Sequence, residues 1–224
     1  MPVQDLCLLF DLAGTLVDSE GICQQGYLDL VPELSESVEA MVSRYRGVNL
    51  EEIMVDLERR IGRKLEEDFE SRYRSRVAEL LASQLQPMPG VHDMLDQLTA
   101  SGFPICIASN GPMHKMLLSL ETCGLLRYFE GQLFSAHEIQ AWKPDPALFL
   151  HAARQLGYPP EQCVVIEDSP VGIEAALAAG MIACYYAHAA TPPGKLAPPV
   201  LHLQTMSDLP GLIADIATYK RRWS

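Results

Sequence analysis

The stretch FDLAGTLVDSE, residues 10–20, decides how the rest of the chain is interpreted. The apolar run 6–10 ends abruptly at Asp11, and a Gly-Thr turn and two further acids, Asp18 and Glu20, follow it. A short apolar run bounded by turn residues is typical of a buried strand in a parallel sheet. An acid at the end of such a strand indicates chemistry, because ligands bind beyond the carboxyl ends of parallel strands.

After residue 88 the sequence predicts several helices that share the same kinds of start and end residues. Each predicted helix ends on a glycine, and two begin with a capping residue and then a proline, which suits the first helical position. The predicted helices are 89–102, 113–124, 145–157 (capped by Asp145) and 169–180 (capped by Ser169).

Short apolar runs alternate with these helices, and several are apolar on both faces. This alternation predicts an α/β fold with a doubly wound, Rossmann-like parallel sheet covered by helices on both sides. The predicted strands are 6–10, 104–108, 132–136, 163–167, 182–187 and 200–203.

Residues 18–85 break this alternation. Helical patterns cover 49–62 and 66–85, and no run in the segment has the pattern of a strand. We therefore predict an inserted all-helical cap domain over 18–85, and a Rossmann-like catalytic core formed by 1–17 and 86–224.

Composition narrows the possible partners and the location. A formal net charge of −12 argues against nucleic acid and anionic membrane surfaces as partners. The six cysteines contain no C-x-x-C pair, and those in predicted strands are expected to be buried free thiols. The sequence shows no leader and no apolar run near 18 residues, so we expect a cytoplasmic protein without membrane contact.

Polar residues follow the predicted strands at the points where they end. In a parallel sheet these residues meet at one edge, where they supply carboxylates, hydroxyl and amide donors and one cation. Phosphoryl transfer needs such a set, because negative charge spreads over the transferring group. The residues are Asp11, Ser109, Asn110, Lys143, Glu167 and Asp168.

Four segments resemble the four motifs of the haloacid dehalogenase-like hydrolase superfamily: FDLAGTLVDSE, IASN, WKPDP and VVIEDSPVGIEAALAAG. The resemblance covers essentially the whole chain and falls in the subgroup of sugar-phosphate phosphatases and β-phosphoglucomutase-like proteins. The wording SNGPMHKM and WKPDPALF is most similar to the 6-phosphogluconate phosphatase type.

The resemblance implies a role for each motif residue. Asp11 is the nucleophile and a Mg²⁺ ligand, and Lys143 neutralises the nucleophile and the phosphate. Asp168, supported by Glu167, and the main-chain carbonyl of Ala13 complete the metal site. The phosphoryl group is held by Thr15, Ser109 and Asn110.

Ala13 departs from the family pattern, in which this position is a second Asp that acts as the catalytic acid and base. Three interpretations remain open: an inactivating substitution in a phosphatase, a natural loss of activity, or chemistry like that of phosphonoacetaldehyde hydrolase. That last branch also has D-x-A-G-T, but it relies on a cap lysine that forms a Schiff base. The cap offers only Lys64, and Arg44 and Arg46 stand where a lysine would be expected; arginine stays protonated and cannot form the imine.

We therefore expect a Mg²⁺-dependent phosphatase of small phosphorylated metabolites such as 6-phosphogluconate, acting as a monomer. Its activity is expected to be strongly reduced because Ala13 stands in place of the acid/base residue. A β-phosphoglucomutase or an inactive binding protein are the alternatives. Arg46 and Gly47 precede a predicted helix in the cap, and we expect them, with Lys115, to contact the substrate.

Overall fold

The protein is described by a computed structural model that covers residues 5–46, 48–187 and 199–223. Its sheet has six parallel strands in the order β3-β2-β1-β4-β5-β6. The strands are β1 Cys7–Phe10, β2 Ile105–Ser109, β3 Leu133–Ser135, β4 Cys163–Glu167, β5 Ile182–Tyr186 and β6 Val200–Leu203. The predicted α/β class with a doubly wound parallel sheet is confirmed.

Helices cover both faces of this sheet and form the insertion after β1. They are α1 Glu20–Leu30, α2 Val38–Tyr45, α3 Leu50–Ile61, α4 Phe69–Gln84, α5 Val91–Ala100, α6 Met113–Thr122, α7 Ala136–Ile139, α8 Ala147–Leu156, α9 Pro170–Ala178 and α10 Leu209–Trp223. Within the described residues, no helix combines the length and apolar character that crossing a bilayer requires.

The alternation of side chains along β1 explains the two helical layers. Leu8 and Phe10 belong to one apolar cluster, which also contains residues of α5, α6, α10 and the insertion. Cys7 and Leu9 belong to a second cluster, on the other face, with residues of α8 and α9. Because successive side chains of a strand point to opposite faces, a fully apolar strand needs cover on both.

Some boundaries differ from the predictions for local reasons. The strand predicted over 132–136 ends at Ser135, because the Ser135 side chain accepts from the His137 N–H and starts α7. Helix α8 begins at Ala147, although Asp145 still accepts from the Ala147 N–H at 2.8 Å. Helix α4 begins at Phe69 rather than 66.

The insertion leaves and re-enters the core through paired segments, which we call the neck. The Asp18 N–H donates to the Gln86 carbonyl at 3.0 Å, and the Met88 N–H donates to the Leu16 carbonyl at 2.9 Å. Between the two segments the described residues form only helices and loops, with α1 and α4 packed together through the stacked rings of Tyr27 and Tyr73. The division into core and cap domains at these residues stays a prediction.

The cysteine prediction is confirmed for the four cysteines of the predicted strands. Cys7, Cys106, Cys163 and Cys184 are all buried, and none of them forms a disulfide. Cys23, in α1, is the half-buried one among the six.

Candidate active site

The register of the central strands brings three chain segments to one edge of the sheet. Phe10 lies level with Ile107 on β2 and with Ile166 on β4. The residues that follow these positions therefore emerge side by side, and Asp11 comes first after β1. This is the edge at which the sequence predicts the site.

A buried ion-pair cluster forms the floor of the site. The Lys143 Nζ lies 2.5 Å from the Asp11 Oδ1 and 2.9 Å from the Glu167 Oε1, and the lysine side chain is only 2% exposed. Burial by itself lowers the pKa of Lys143, but the charges of Asp11 and Glu167 outweigh it, so the pKa lies above its usual range. Lys143 is therefore held as a cation against the nucleophile position.

The same floor gathers three carboxylates that could hold a metal ion. Asp11, Glu167 and Asp168 each offer an oxygen, and these oxygens lie within 4.8 Å of one another. Burial raises the pKa of Asp11 to about 8, and the negative charges of Glu167 and Asp168 add to the rise while Lys143 opposes it. Carboxylates here outnumber the ammonium three to one, and an all-oxygen set with excess negative charge suits Mg²⁺.

Small residues and hydroxyl groups hold two of these carboxylates in place. Glu167 Oε2 accepts from the Ser169 N–H at 2.6 Å and from its hydroxyl at 2.8 Å. The Thr15 hydroxyl donates to Asp168 Oδ1 at 3.1 Å. A Cβ on Gly14, whose φ is +79°, would lie 2.3 Å from Asp168 Oδ2, and a Cβ on Gly172 would lie 2.0 Å from the Glu167 carboxyl carbon.

The loops after β2 and β3 are tied to each other beside this floor. Asn110 Oδ1 accepts from the Lys143 N–H at 3.0 Å, and the Ser135 hydroxyl donates to the Gly111 carbonyl at 2.7 Å. Ser109 Oγ accepts from the Gly111 N–H at 3.2 Å. Ser109 and Asn110 both line the cleft above the floor, whereas Thr15 is fully buried and does not. Their predicted contacts with a phosphoryl group stay predictions.

Ala13 lies exposed in the wall of the cleft, two residues beyond the Asp11 carboxylate. The turn around it is closed by main-chain bonds, including Gly14 N–H to the Val17 carbonyl at 2.8 Å. A longer side chain at this position would therefore extend into the cleft without needing a different backbone.

The insertion forms the opposite wall of this cleft, whose volume is about 1200 Å³. Arg46 lines it and donates through Nη2 to Glu20 Oε2 at 2.7 Å, while its Nη1 is buried with no hydrogen-bond partner among the described residues. Lys115 also lines it, with Nζ 3.3 Å from the Cys23 Sγ. Gly47 lies outside the described residues.

Lys64, the cap lysine required by phosphonatase-like chemistry, lies elsewhere. Its side chain is 87% exposed, its Nζ pairs with Glu58 at 2.6 Å, and it does not line the cleft. The described cap therefore offers this chemistry no lysine at the site.

Sequence reasoning missed three features of the site. In the sequence Glu20 is only an acid after the first motif, and no pattern pairs it with Arg46. Gln24 and Cys23 lie on α1, a helix that was not predicted individually, and both line the cleft. The sequence predicts Ser169 only as a helix cap. Its position two residues after Glu167 could have indicated its bonds to the Glu167 carboxylate.

Comparisons with known proteins show the family to which the chain is similar. A family model described as haloacid dehalogenase-like hydrolase matches residues 6–180. The chain is 38% identical over 211 residues to 6-phosphogluconate phosphatase of Escherichia coli strain K12, covering 92% of this chain and 93% of that one. It is 29% identical over 176 residues to hexitol phosphatase A of the same organism, covering 77% and 78% of the two chains.

Solved structures of this family have the same fold over nearly the whole chain. A haloacid dehalogenase-like protein of unknown function from Agrobacterium tumefaciens superimposes with a TM-score of 0.82 at 33% identity, covering 96% of this chain and 99% of that one. A family hydrolase from Deinococcus radiodurans with bound phosphate and sodium gives 0.78 at 27% identity, covering 96% of each. Because the family model spans most of the sequence and the four motif segments meet at one site, this chain belongs to the haloacid dehalogenase-like hydrolase family.

Proposed function

We propose that this protein is a Mg²⁺-dependent sugar-phosphate phosphatase that uses Asp11 as its nucleophile and lacks its acid/base group at position 13. The observation that carries the proposal is the buried cluster of Lys143 with Asp11, Glu167 and Asp168 at the floor of an open cleft. The names of the relatives from Escherichia coli, a 6-phosphogluconate phosphatase and a hexitol phosphatase, support phosphorylated sugars as the substrate class.

The first half-reaction transfers the phosphoryl group to the protein. A carboxylate oxygen of Asp11 attacks phosphorus, the bond from phosphorus to the sugar oxygen breaks, and the sugar leaves as an alkoxide that needs a proton. Lys143 orients the Asp11 carboxylate and offsets its charge, which lets the carboxylate approach an anionic phosphate. Ser109 and Asn110 line the cleft where donors to the phosphoryl oxygens are needed.

The metal site fits this role. Asp11, Asp168 and the main-chain carbonyl of Ala13 would hold Mg²⁺, with Glu167 beside them. When bound, the ion supplies positive charge next to the transferring phosphoryl group. Burial raises the Asp11 pKa to about 8, and a cation bound beside it would lower this pKa and favour the nucleophilic carboxylate.

The second half-reaction, in which water attacks the phosphorus and frees Asp11, needs a base. The methyl group of Ala13 can neither give the proton to the leaving sugar nor take one from the water. Loss of one such group typically costs about 10²–10⁴-fold in rate. The proposed enzyme therefore binds substrate and is slow in both steps, and it acts as a monomer on small phosphorylated metabolites.

The test is to trap the phosphoryl group on Asp11. The protein with Mg²⁺ is incubated with a panel of ³²P-labelled sugar phosphates, quenched in acid and digested, and the labelled peptide is mapped. We expect hydroxylamine-sensitive label on the peptide containing Asp11, less with EDTA, and none in Asp11→Asn. Absence of label in both this protein and Ala13→Asp, with every substrate, contradicts the proposal and favours a binding protein.

A second arm tests the metal and a third tests the mutase alternative. Titration calorimetry with MgCl₂ should give binding that Asp168→Ala weakens, and equal binding by both proteins contradicts the assigned ligands. A mutase would return the label to a second sugar phosphate to give a bisphosphate, whereas a phosphatase releases inorganic phosphate.

A further inference from the structure

We propose that Lys115, together with Gln24, recognises a carboxylate-bearing polyhydroxy end of the substrate, so that the preferred substrates are phosphate esters of sugar acids. The inference rests on the proposed phosphatase function and adds to it the residues that select the leaving group.

The cations of the cleft differ in their partners. Arg46 pairs with Glu20, Arg74 pairs with Glu70 at 2.6 Å, and Lys143 pairs with two carboxylates. Lys115 also lines the cleft, and its Nζ is 3.3 Å from a thiol sulfur, with no carboxylate within 4.0 Å among the described residues. A half-buried ammonium whose protein neighbour is a thiol keeps its charge available for an anion from the solvent.

An unpartnered acceptor lines the same cleft, on the cap helix α1, whereas Lys115 lies on α6. Gln24 is only 7% exposed and lines the cleft, and its Oε1 is buried with no hydrogen-bond partner in the described part of the chain. A buried acceptor without a donor is unfavourable, and native proteins normally satisfy it with protein, water or ligand. Gln24 follows Cys23 directly on α1, so the acceptor belongs to the helix that carries the thiol next to Lys115.

The chemistry of this pair points to one kind of group. Lys115 offers charge and donors, and Gln24 offers an acceptor that a hydroxyl group satisfies. A hydroxy acid provides both partners, whereas the end of a polyol provides hydroxyls without the charge. Glu20, Glu51, Glu58 and Glu70 also line the cleft, and they repel a doubly charged second phosphate more strongly than a singly charged carboxylate.

The test compares two ligands that differ only at one carbon. Gluconate 6-phosphate carries a carboxylate where sorbitol 6-phosphate carries a hydroxymethyl group. Binding to this protein with Mg²⁺ is measured by titration calorimetry, since the missing acid/base group keeps turnover slow, and phosphate release is monitored in parallel. We expect gluconate 6-phosphate to bind at least about 10-fold more tightly, as a charge-assisted contact provides.

Variants then assign the preference to residues. Lys115→Met should weaken gluconate 6-phosphate at least about 10-fold more than sorbitol 6-phosphate and so remove the preference, and Lys115→Arg should restore part of it. Gln24→Met should weaken both ligands by a similar factor. Lys64→Met is the matched control, because that lysine is exposed and outside the cleft, and it should change neither affinity.

The outcomes separate this inference from the proposed function. Equal affinity for the two ligands, or a preference that survives in Lys115→Met, overturns the role of Lys115. Tighter, Lys115-dependent binding of fructose 1,6-bisphosphate than of gluconate 6-phosphate overturns the carboxylate assignment. If neither sugar phosphate nor inorganic phosphate binds at all, the proposed function itself fails.

Discussion

Lys143 and Lys115 line the same cleft in opposite surroundings. Lys143 is almost fully buried and bonded to two carboxylates. Lys115 is half-buried and faces a thiol. The first lysine is fixed by protein partners before any ligand arrives, whereas the second leaves its charge for a ligand.

The floor and the cap side of the cleft also differ in how many of their buried polar atoms lack a partner. Three buried side-chain atoms lack a hydrogen-bond partner among the described residues, and two of them, Gln24 Oε1 and Arg46 Nη1, line the cap side of the cleft. The floor contains none of the three. The side chains of the floor are thus held by protein partners, whereas the cap side of the cleft offers two buried polar atoms that a ligand could satisfy.

The largest expected effect is on Lys143. Lys143→Met leaves Asp11 and Glu167 buried together without their cation, and breaking a buried pair from one side costs about 3–5 kcal/mol. Urea unfolding in EDTA should show a loss of that size, and label on Asp11 should vanish. Lys115→Met should change the free energy of unfolding by less than about 0.5 kcal/mol. Equal losses of unfolding free energy in the two variants would show that the two lysines do not differ as described.

Restoring the acid is the next largest effect. Ala13→Asp should raise turnover of sugar phosphates by at least about 100-fold, because proton transfer returns to both half-reactions. Mg²⁺ affinity should stay nearly unchanged, since the proposed ligand at this position is the main-chain carbonyl. Ala13→Asn places an amide of similar size and serves as the control. A gain in Ala13→Asn as large as in Ala13→Asp would show that the size of the side chain, not its proton, limits the reaction.

Two glycines with nearly the same φ test how tightly the floor is packed. Gly157→Ala, at φ +77° with no atom within 4 Å of the new Cβ, should cost only the conformational penalty of about 1 kcal/mol. Gly14→Ala, at φ +79°, adds a clash with Asp168 and should cost about 1–3 kcal/mol more. It should also weaken Mg²⁺ binding, which Gly157→Ala should not. Calorimetry and thermal unfolding measure both, and similar losses in the two variants would mean that the Asp168 side chain moves aside freely.

The smallest effect concerns Arg46. Its side chain is 14% exposed, so Arg46→Ala should cost about 1 kcal/mol of stability and weaken the affinity for acidic sugar phosphates several-fold. Arg63→Ala breaks a comparable but exposed cap pair with Glu33 and should cost less than about 0.5 kcal/mol with no change in affinity. Unchanged affinity for every acidic sugar phosphate in Arg46→Ala would exclude a substrate contact.

The floor could be predicted from the sequence because strand ends in a parallel sheet must meet at one edge. Asp11 directly follows β1, Glu167 ends β4, and Lys143 lies in the loop after β3 and α7, so the fold class already predicts that they converge. The helix with Ser169 and Pro170 at its start was predicted for the same local reasons that form α9. Short-range rules were enough for these features.

The cap wall could not be predicted, because it depends on distances between helices. Whether Gln24 or its neighbour Gln25 faces the cleft is set by the rotation of α1 against α4, and the sequence of α1 gives no strong apolar stripe to fix it. The bond of the Thr15 hydroxyl to Asp168 likewise required the structure, because the motif gives no sign of it. The end of β3 at Ser135 depends on the capping bond that starts α7, and the start of α4 differs by three residues from the prediction, within the range that pattern reasoning leaves open.

The neck has a consequence for how such proteins diversify. Its outgoing and returning segments are hydrogen-bonded to each other, so the two ends of the helical insertion lie close together. An insertion of different length can leave the ends of the sheet strands where they are, because pairing between the two neck segments fixes its ends. Such an insertion must still cover the apolar residues that the cap shares with the core. Cap residues that line the cleft, such as Gln24 and Arg46, can therefore change between related proteins without disturbing the carboxylates and lysine at the floor, whereas Lys115 belongs to α6 and changes with the core.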